Sequence, residues 1–344
     1  MLRGGVFFAL LVTLPLLGLQ HWFLNLLVFV LIYATMSSAW NLVGGFAGYP
    51  SLGHAAFFGI GAYTLALIFK DHVLATGYEP FLLLPVVGLV GALIGWPIAL
   101  IAMRTRADVF AIVTITFLFV VQTLAFNLHD LTGGSQGIAL PIPPFGADHF
   151  EVPFYYVLVG LLVLTMGLTF ATMRSKVGLS LVSIRADEDK ARGVGVRVIG
   201  VKVLAFSVSV GITAMVGAVW GYYESFIYPQ FAVDPLITIA MVLMTFLGGR
   251  GTLWGPVLGA VILETGQQVL TYQLGAVQLY LIVYALIFLV IIVLLPRGIL
   301  PTIEDRLRQY RRRRRSDAAP DAWPEDLSRT ASADPAKMLG GGTP

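Results

Sequence analysis

Two ionisable side chains stand inside otherwise apolar stretches of this chain, His54 near the start of one and Glu264 within another. An imidazole or carboxyl in such surroundings can line a polar route or relay a proton, since burying one costs about 3 kcal/mol. Ser51, Gly53 and Phe57 flank His54 on a Gly-bounded segment, so Ser51, Gly53, His54, Phe57 and Glu264 form the candidate route. For His54 a neutral, hydrogen-bonded packing role stays open, and for Glu264 pairing within the bundle. Two such groups are too few for the relay of a proton- or sodium-driven carrier, so the energy for any transport is expected from elsewhere. No H-E-x-x-H, no G-x-S-x-G and no helically spaced carboxylate cluster occurs, and the absence of Cys removes disulfides, thiolate metal sites and a cysteine nucleophile. The run Gly248-Gly249-Arg250-Gly251-Thr252-Leu253-Trp254-Gly255 has the glycines of a phosphate loop. It lacks the Lys-Ser/Thr that holds phosphate and magnesium, and no strand precedes it, so it reads as a tight break between two spans. No catalytic residue, metal site or cofactor is assigned to the chain itself.

These residues must be positioned by membrane helices. The chain has 344 residues, 57% hydrophobic and only 12% charged, where a soluble domain has about 25% charged residues. Apolar runs lie at 5–20, 22–43, 53–69, 80–103, 108–127, 154–173, 202–223, 235–249, 255–271 and 278–295, most near the ~20 residues that cross a bilayer. The third, eighth and ninth are short and Gly-rich, which suggests broken or re-entrant segments. The fold expected is therefore an all-α polytopic membrane protein of about ten transmembrane helices, with a transmembrane domain over 1–300 and a tail over 301–344. With the N-terminus inside, every cation up to residue 295 except Lys70 falls on the cytosolic side, while Asp71, Glu79, Asp130, Asp148, Glu151, Glu224 and Asp234 fall outside. That is the positive-inside asymmetry, and it places both termini in the cytosol. Arg3 and its apolar run resemble a secretory signal, but no A-x-A-like site follows and an uncleaved first helix is expected. The tail holds five consecutive arginines, Arg311 to Arg315, before a stretch rich in Asp, Ala, Pro, Ser and Gly. Such a composition cannot bury a core; the arginines are read as fixing topology and touching anionic lipid heads rather than nucleic acid.

Between the sixth and seventh runs lies a charged, Gly-punctuated island, Ser175 to Lys202, within a loop spanning 174–202. Leu181 to Arg192 reads as one short helix that Gly193 and Gly195 stop. A charged helix on the inner face offers a docking surface to a soluble partner, although any cytosolic loop can form one. Leu181, Val182 and Ile184 would be the apolar anchors, with Arg185, Asp187 and Glu188 fixing orientation. Because the loop faces water, charge reversal at Arg185 and Glu188 is expected to leave the fold intact. Small-xxx-small pairs at Gly44/Gly48, Gly91/Gly95, Gly217/Gly221, Gly251/Gly255 and Gly255/Gly259 predict close helix packing. Gly44 to Gly53 and Gly248 to Gly255 are expected structural breaks, one in each half of the chain, like the broken helices at transporter sites.

Gly48-Tyr49-Pro50-Ser51-Leu52-Gly53-His54-Ala55-Ala56-Phe57-Phe58-Gly59-Ile60-Gly61-Ala62-Tyr63 resembles the signature of LivM-type permeases of branched-chain amino-acid ABC importers. Leu131-Thr132-Gly133-Gly134-Ser135-Gln136-Gly137-Ile138, Phe246 to Gly259 and Leu295-Pro296-Arg297-Gly298 fit the same pattern in order, covering roughly residues 35–300. The resemblance implies a multi-pass permease of the bacterial inner membrane. Its implied partners are a second, LivH-like permease, two cytosolic ATPase subunits that bind ATP and magnesium, and a periplasmic substrate-binding protein. It also implies that the charged loop is the ATPase-coupling element, with Ile184-Arg185-Ala186-Asp187-Glu188 and Ala191 through Gly195 in its pattern; Arg192-Gly193 departs from the more hydrophobic pair usual there. Importers of urea and short-chain amides use similar permeases, and no residue here separates leucine from urea. An ion-coupled carrier or channel acting alone is the reading from another class, followed by a membrane-bound enzyme.

Overall fold

The computed structural model describes residues 11–18, 20–71, 76–146, 149–274, 286, 298–303 and 306. The chain divides into two compact units, Met1–Pro301 and Thr302–Pro344, and the helical bundle is the first of them. Residues 5–10 and 19 of the first apolar run, most of the tenth run and the five-arginine segment lie outside the described residues.

The long helices are α1 (His21–Trp40), α2 (His54–Asp71), α3 (Leu84–Ala102), α4 (Ala107–Asn127), α5 (Glu151–Met173), α6 (Lys176–Ala186), α7 (Glu188–Gly193), α8 (Val198–Glu224), α9 (Pro235–Gly248) and α10 (Gly255–Leu274). Six apolar stretches among the described residues are long enough to cross a membrane: His21–Ala47, Leu84–Ala102, Ala107–Asn127, Glu151–Met173, Val198–Glu224 and Pro229–Gly248. The protein is a helical, multi-pass membrane protein. Helix α2 is a shorter apolar helix over His54–Lys70.

The expectation that the third, eighth and ninth runs are themselves broken is corrected. Helices α2, α9 and α10 run without interruption, and the chain bends before α2 and between α9 and α10. Their glycines serve approach rather than breakage. A Cβ on Gly61 would lie 1.9 Å from the Ala214 carbonyl oxygen, one on Gly217 2.0 Å from that of Phe58, and one on Gly259 1.8 Å from that of Met244. Backbones this close gain dispersion contacts that larger side chains would forbid. Helix α8 therefore packs along α2 and α3, α1 against α5 and α10, and α9 against α10. Helices α1 and α8 are the innermost spans, 83% and 72% buried, while α3 and α4 lie outermost at 33% and 22%.

The two ends of the bundle differ. At one, β1 (Ile138–Ala139) pairs antiparallel with β2 (Phe226–Ile227), and the Lys70 ammonium in the last turn of α2 donates to the Asp130 carbonyl at 2.8 Å. At the other, Arg104, Arg106, Arg185 and Arg192 gather around one cleft. We call this the basic end.

Candidate functional site

The site at the basic end is built where both glycine breaks meet the charged loop. Helix α1 runs into a π-helical turn, Asn41–Ala47, and stops at Gly48 in left-handed backbone, φ +75°. A Cβ there would be strained and would also lie 2.9 Å from Arg185 Cγ. Asn41 bridges the two breaks: its Nδ2 donates to the Thr252 carbonyl and its Oδ1 accepts from Gly251 N–H, each at 2.8 Å. Gly249 (φ +128°) and Gly251 (φ +74°) turn the chain, and Gly248 and Gly255 touch so closely that a Cβ on Gly248 would lie 1.6 Å from the Gly255 carbonyl oxygen. Gly44 lies under the Trp40 ring, where a Cβ would come within 2.1 Å of it. The Gly248–Gly255 run is thus a tight break between α9 and α10, closed by Asn41.

The charged loop is not the single helix expected over Leu181–Arg192. It forms α6 and α7, separated at Asp187, whose backbone is extended (φ −165°, ψ 110°). The Asp187 carboxylate accepts from Lys190 N–H at 3.0 Å and so caps α7, and Ser175 Oγ caps α6 from Gly178 N–H. The Lys190 backbone N–H, and then its side chain, hold the Asp187 carboxyl below its ordinary range. Gly195 follows in left-handed backbone at φ +88°.

Three of the expected surface residues face inward. Leu181, Ile184 and Ala191 are buried within this chain's own core, so Leu181 and Ile184 are not free as anchors for a partner. Val182 remains exposed, joined by Leu179 and Val194. Helix α6 lies on the π-helical turn and α8, and the pattern that spaces Leu181 and Ile184 on one helical face seats that face on the bundle instead of a partner.

Arg185 and Glu188 also turn inward. Arg185 Nη1 donates to the Gly45 carbonyl at 2.7 Å, tying the loop to the first break. The Glu188 carboxylate accepts from the Tyr49 hydroxyl, from Arg192 Nη2 at 3.0 Å and from Lys202 Nζ at 3.2 and 3.3 Å. Burial opposes ionisation of Glu188 most, yet Tyr49, Lys202 and Arg192 together hold its carboxyl below the ordinary range. Burial and the adjacent Glu188 push the Tyr49 phenol up. Lys202, expected in the loop, is a wholly buried residue of α8, because that helix starts at Val198. Tyr49, Asn41 and Lys202 were missed as site residues. The signal for Lys202 was available: a lone cation in Val198–Phe206 has no water to turn to and needs a partner.

The candidate route residues are interior. Ser51, His54, Phe57 and Glu264 are all 0% exposed and Gly53 is buried too. His54 Nε2 lies 2.8 Å from Ser209 Oγ, which donates its own proton to the Ala39 carbonyl and therefore accepts from the ring. His54 Nδ1 is 2.9 Å from Ser51 Oγ. Phe57 packs edge-on to Phe206 and tilted on Phe117. Ser51, Gly53, His54 and Phe57 thus share one packed cluster, with Gly53 N–H donating to Ser51 Oγ at 3.3 Å. Glu264 stands apart on α10, where Oε1 accepts from Gln268 and Oε2 has no hydrogen-bond partner among the described residues. None of the five lines the cleft at the basic end.

Comparison with known proteins supplies what the geometry alone does not. The chain is 27% identical to the high-affinity branched-chain amino acid transport system permease protein LivM of Salmonella typhimurium, over 81% of this chain and 70% of that protein. It is 26% identical to LivM of Escherichia coli over the same shares, and 24% identical to the permease LivH of Salmonella typhimurium over 79% of this chain and 92% of that protein. No solved structure matches significantly. Residues 22–293 match the family described as the branched-chain amino acid transport system permease component, and the chain belongs to that family.

Proposed function

We propose that this chain is a membrane-spanning subunit of an ATP-driven importer of branched-chain amino acids in the bacterial inner membrane. It pairs with a LivH-like permease, contacts two cytosolic ATPase subunits that bind ATP and magnesium, and receives substrate from a periplasmic binding protein. Ten spans with both ends in the cytosol put the basic end inside.

One observation carries the coupling role. The α6–α7 loop is tied to both glycine breaks and to α8, through Arg185 to Gly45, through Glu188 to Tyr49 and Lys202, and through Asn41 across to Gly251. A push on the loop's outer face, at Leu179, Val182, Asp189 and Lys190, is thereby delivered to the ends of α1, α8, α9 and α10. Ser51, Gly53, His54 and Phe57 follow the first break directly, and Glu264 lies on the helix after the second. Movement of the breaks shifts the elements that carry all five, and the substrate route opens beside them.

The test is reconstitution with the second permease, the ATPases and the binding protein in proteoliposomes. Leucine uptake should require ATP and every subunit. Uptake by this chain alone on an ion gradient, or transport of urea without leucine, would overturn the reading.

A further inference from the structure

The cleft at the basic end, about 460 Å³, has the coupling loop as one wall, but Arg104 and Arg106 on its other wall take no part in the coupling reading. It lies between the α3–α4 turn, the residues after the first break and the α6–α7 loop. Its lining sets four guanidinium groups, of Arg104, Arg106, Arg185 and Arg192, against two carboxylates, of Glu188 and Asp189. Glu188 is already bonded to Tyr49, Arg192 and Lys202, and Asp189 lies 3.8 Å from Arg192. Arg104 and Arg106 are exposed and make no side-chain hydrogen bond or ion pair among the described residues. Among the described residues nothing answers their charge.

Two further observations point to what answers it. Helix α4 begins at Ala107 on the cleft wall with no side-chain cap, its first backbone bond running from Phe110 N–H to Arg106. Its free N–H groups and positive dipole end favour an anion, although Asp108 in the first turn takes part of that field. Immediately beyond the turn the surface becomes apolar, with Ile101 72%, Val109 46% and Ile112 63% exposed on the two least buried spans. A soluble anion would use only the charges; an amphiphile uses the charges and the apolar strip together.

We propose that this cleft binds the phosphate headgroup of an anionic phospholipid, with its acyl chains along Ile101, Val109 and Ile112. Arginine forks suit phosphate oxygens better than point charges do, and a zwitterionic lipid brings no net charge to the site. The site needs the bilayer but not the ATPase, so it is testable apart from the coupling role.

The full-length protein is purified in detergent, titrated with phosphatidylglycerol, phosphatidylcholine or inorganic phosphate, and read by native mass spectrometry. Phosphatidylglycerol should be retained, and Arg104→Gln with Arg106→Gln should weaken that retention about thirtyfold. Ile112→Ser should weaken it as well, and phosphatidylcholine should show no difference between wild type and variant. The Lys pair at Arg104 and Arg106 should keep part of the binding, which reports on the site even if the Gln pair folds poorly. Equal retention of phosphatidylglycerol by wild type and both paired variants overturns the proposal in favour of non-specific lipid. Displacement by inorganic phosphate, with no effect of Ile112→Ser, overturns it in favour of a soluble anion. Unchanged lipid retention with loss of the ATPase from the assembled complex assigns the arginines to an acidic protein segment instead.

Discussion

Lys202 Nζ reaches both carboxylate oxygens of Glu188, at 3.2 and 3.3 Å, from a side chain wholly buried in α8. The same ammonium stands 4.0 Å from the centroid of the Tyr49 ring, whose hydroxyl donates to the same carboxylate. Three segments, the stretch after the first break, the charged loop and the start of α8, thus satisfy one another's polar groups. Desolvating a charge pair costs roughly what its attraction returns, so the pair adds little net stability while neither partner can be lost alone.

Lys202→Met should therefore destabilise the purified protein by about 3 kcal/mol. Adding Glu188→Gln to it should recover much of the loss. Thermal unfolding of the two single variants and the double variant measures this, and strictly additive losses would show that the two residues are not coupled.

Tyr49→Phe keeps the ring under the ammonium and removes one donor to the carboxylate. A loss of about 1.5 kcal/mol is expected, with ATP-dependent uptake falling further than stability because the loop is then held by fewer ties. Unchanged uptake and unchanged unfolding would remove the hydroxyl from the network.

The depressed pKa of Glu188 gives a pH dependence of known sign. A carboxyl whose folded pKa lies below its unfolded value of about 4.3 stabilises above that value and loses the contribution as pH falls through the folded pKa. The difference in Tm between wild type and Glu188→Gln should be flat at neutral pH and shrink in strongly acidic solution. A difference that grows as pH falls would contradict the assignment.

Charge reversal at Arg185 and Glu188 is now expected to disturb the fold, because both side chains are bonded inside the chain. Arg185→Glu should lower Tm as well as uptake. Val182→Asp and Leu179→Asp, on the exposed side of the loop, should cut uptake by about tenfold, the scale of a lost interface anchor, with Tm unchanged. Co-purification of the ATPase separates the two classes.

His54→Ala leaves Ser209 and Ser51 without a ring partner and opens a cavity, at a cost of about 3 kcal/mol. Lower yield and lower Tm should accompany any loss of uptake. Full uptake with an unchanged Tm would exclude His54 from both packing and transport.

Much of this protein was legible in its sequence because a bilayer forces simple rules on a chain. Apolar runs of fixed length become helices, cations gather at one end, and glycines at Gly48, Gly249 and Gly251 stop helices where left-handed backbone is needed. The motif around Gly48 to Tyr63 named the family that residues 22–293 match. Hydrophobic periodicity says which face of a short helix is apolar but not which surface will cover it. Leu181 and Ile184 accordingly looked like anchors for a partner and proved to be this chain's own core. Asp187 likewise read as one more residue of a helix, because its choice to cap α7 depends on the Lys190 amide that folding brings to it. Sequence spacing could not bring Asn41 to Gly251, 210 residues away, or Tyr49 to Glu188, 139 residues away. Those contacts arise only when helices with touching backbones fix the two breaks side by side, and a buried donor or charge must then take the partner that the packing presents.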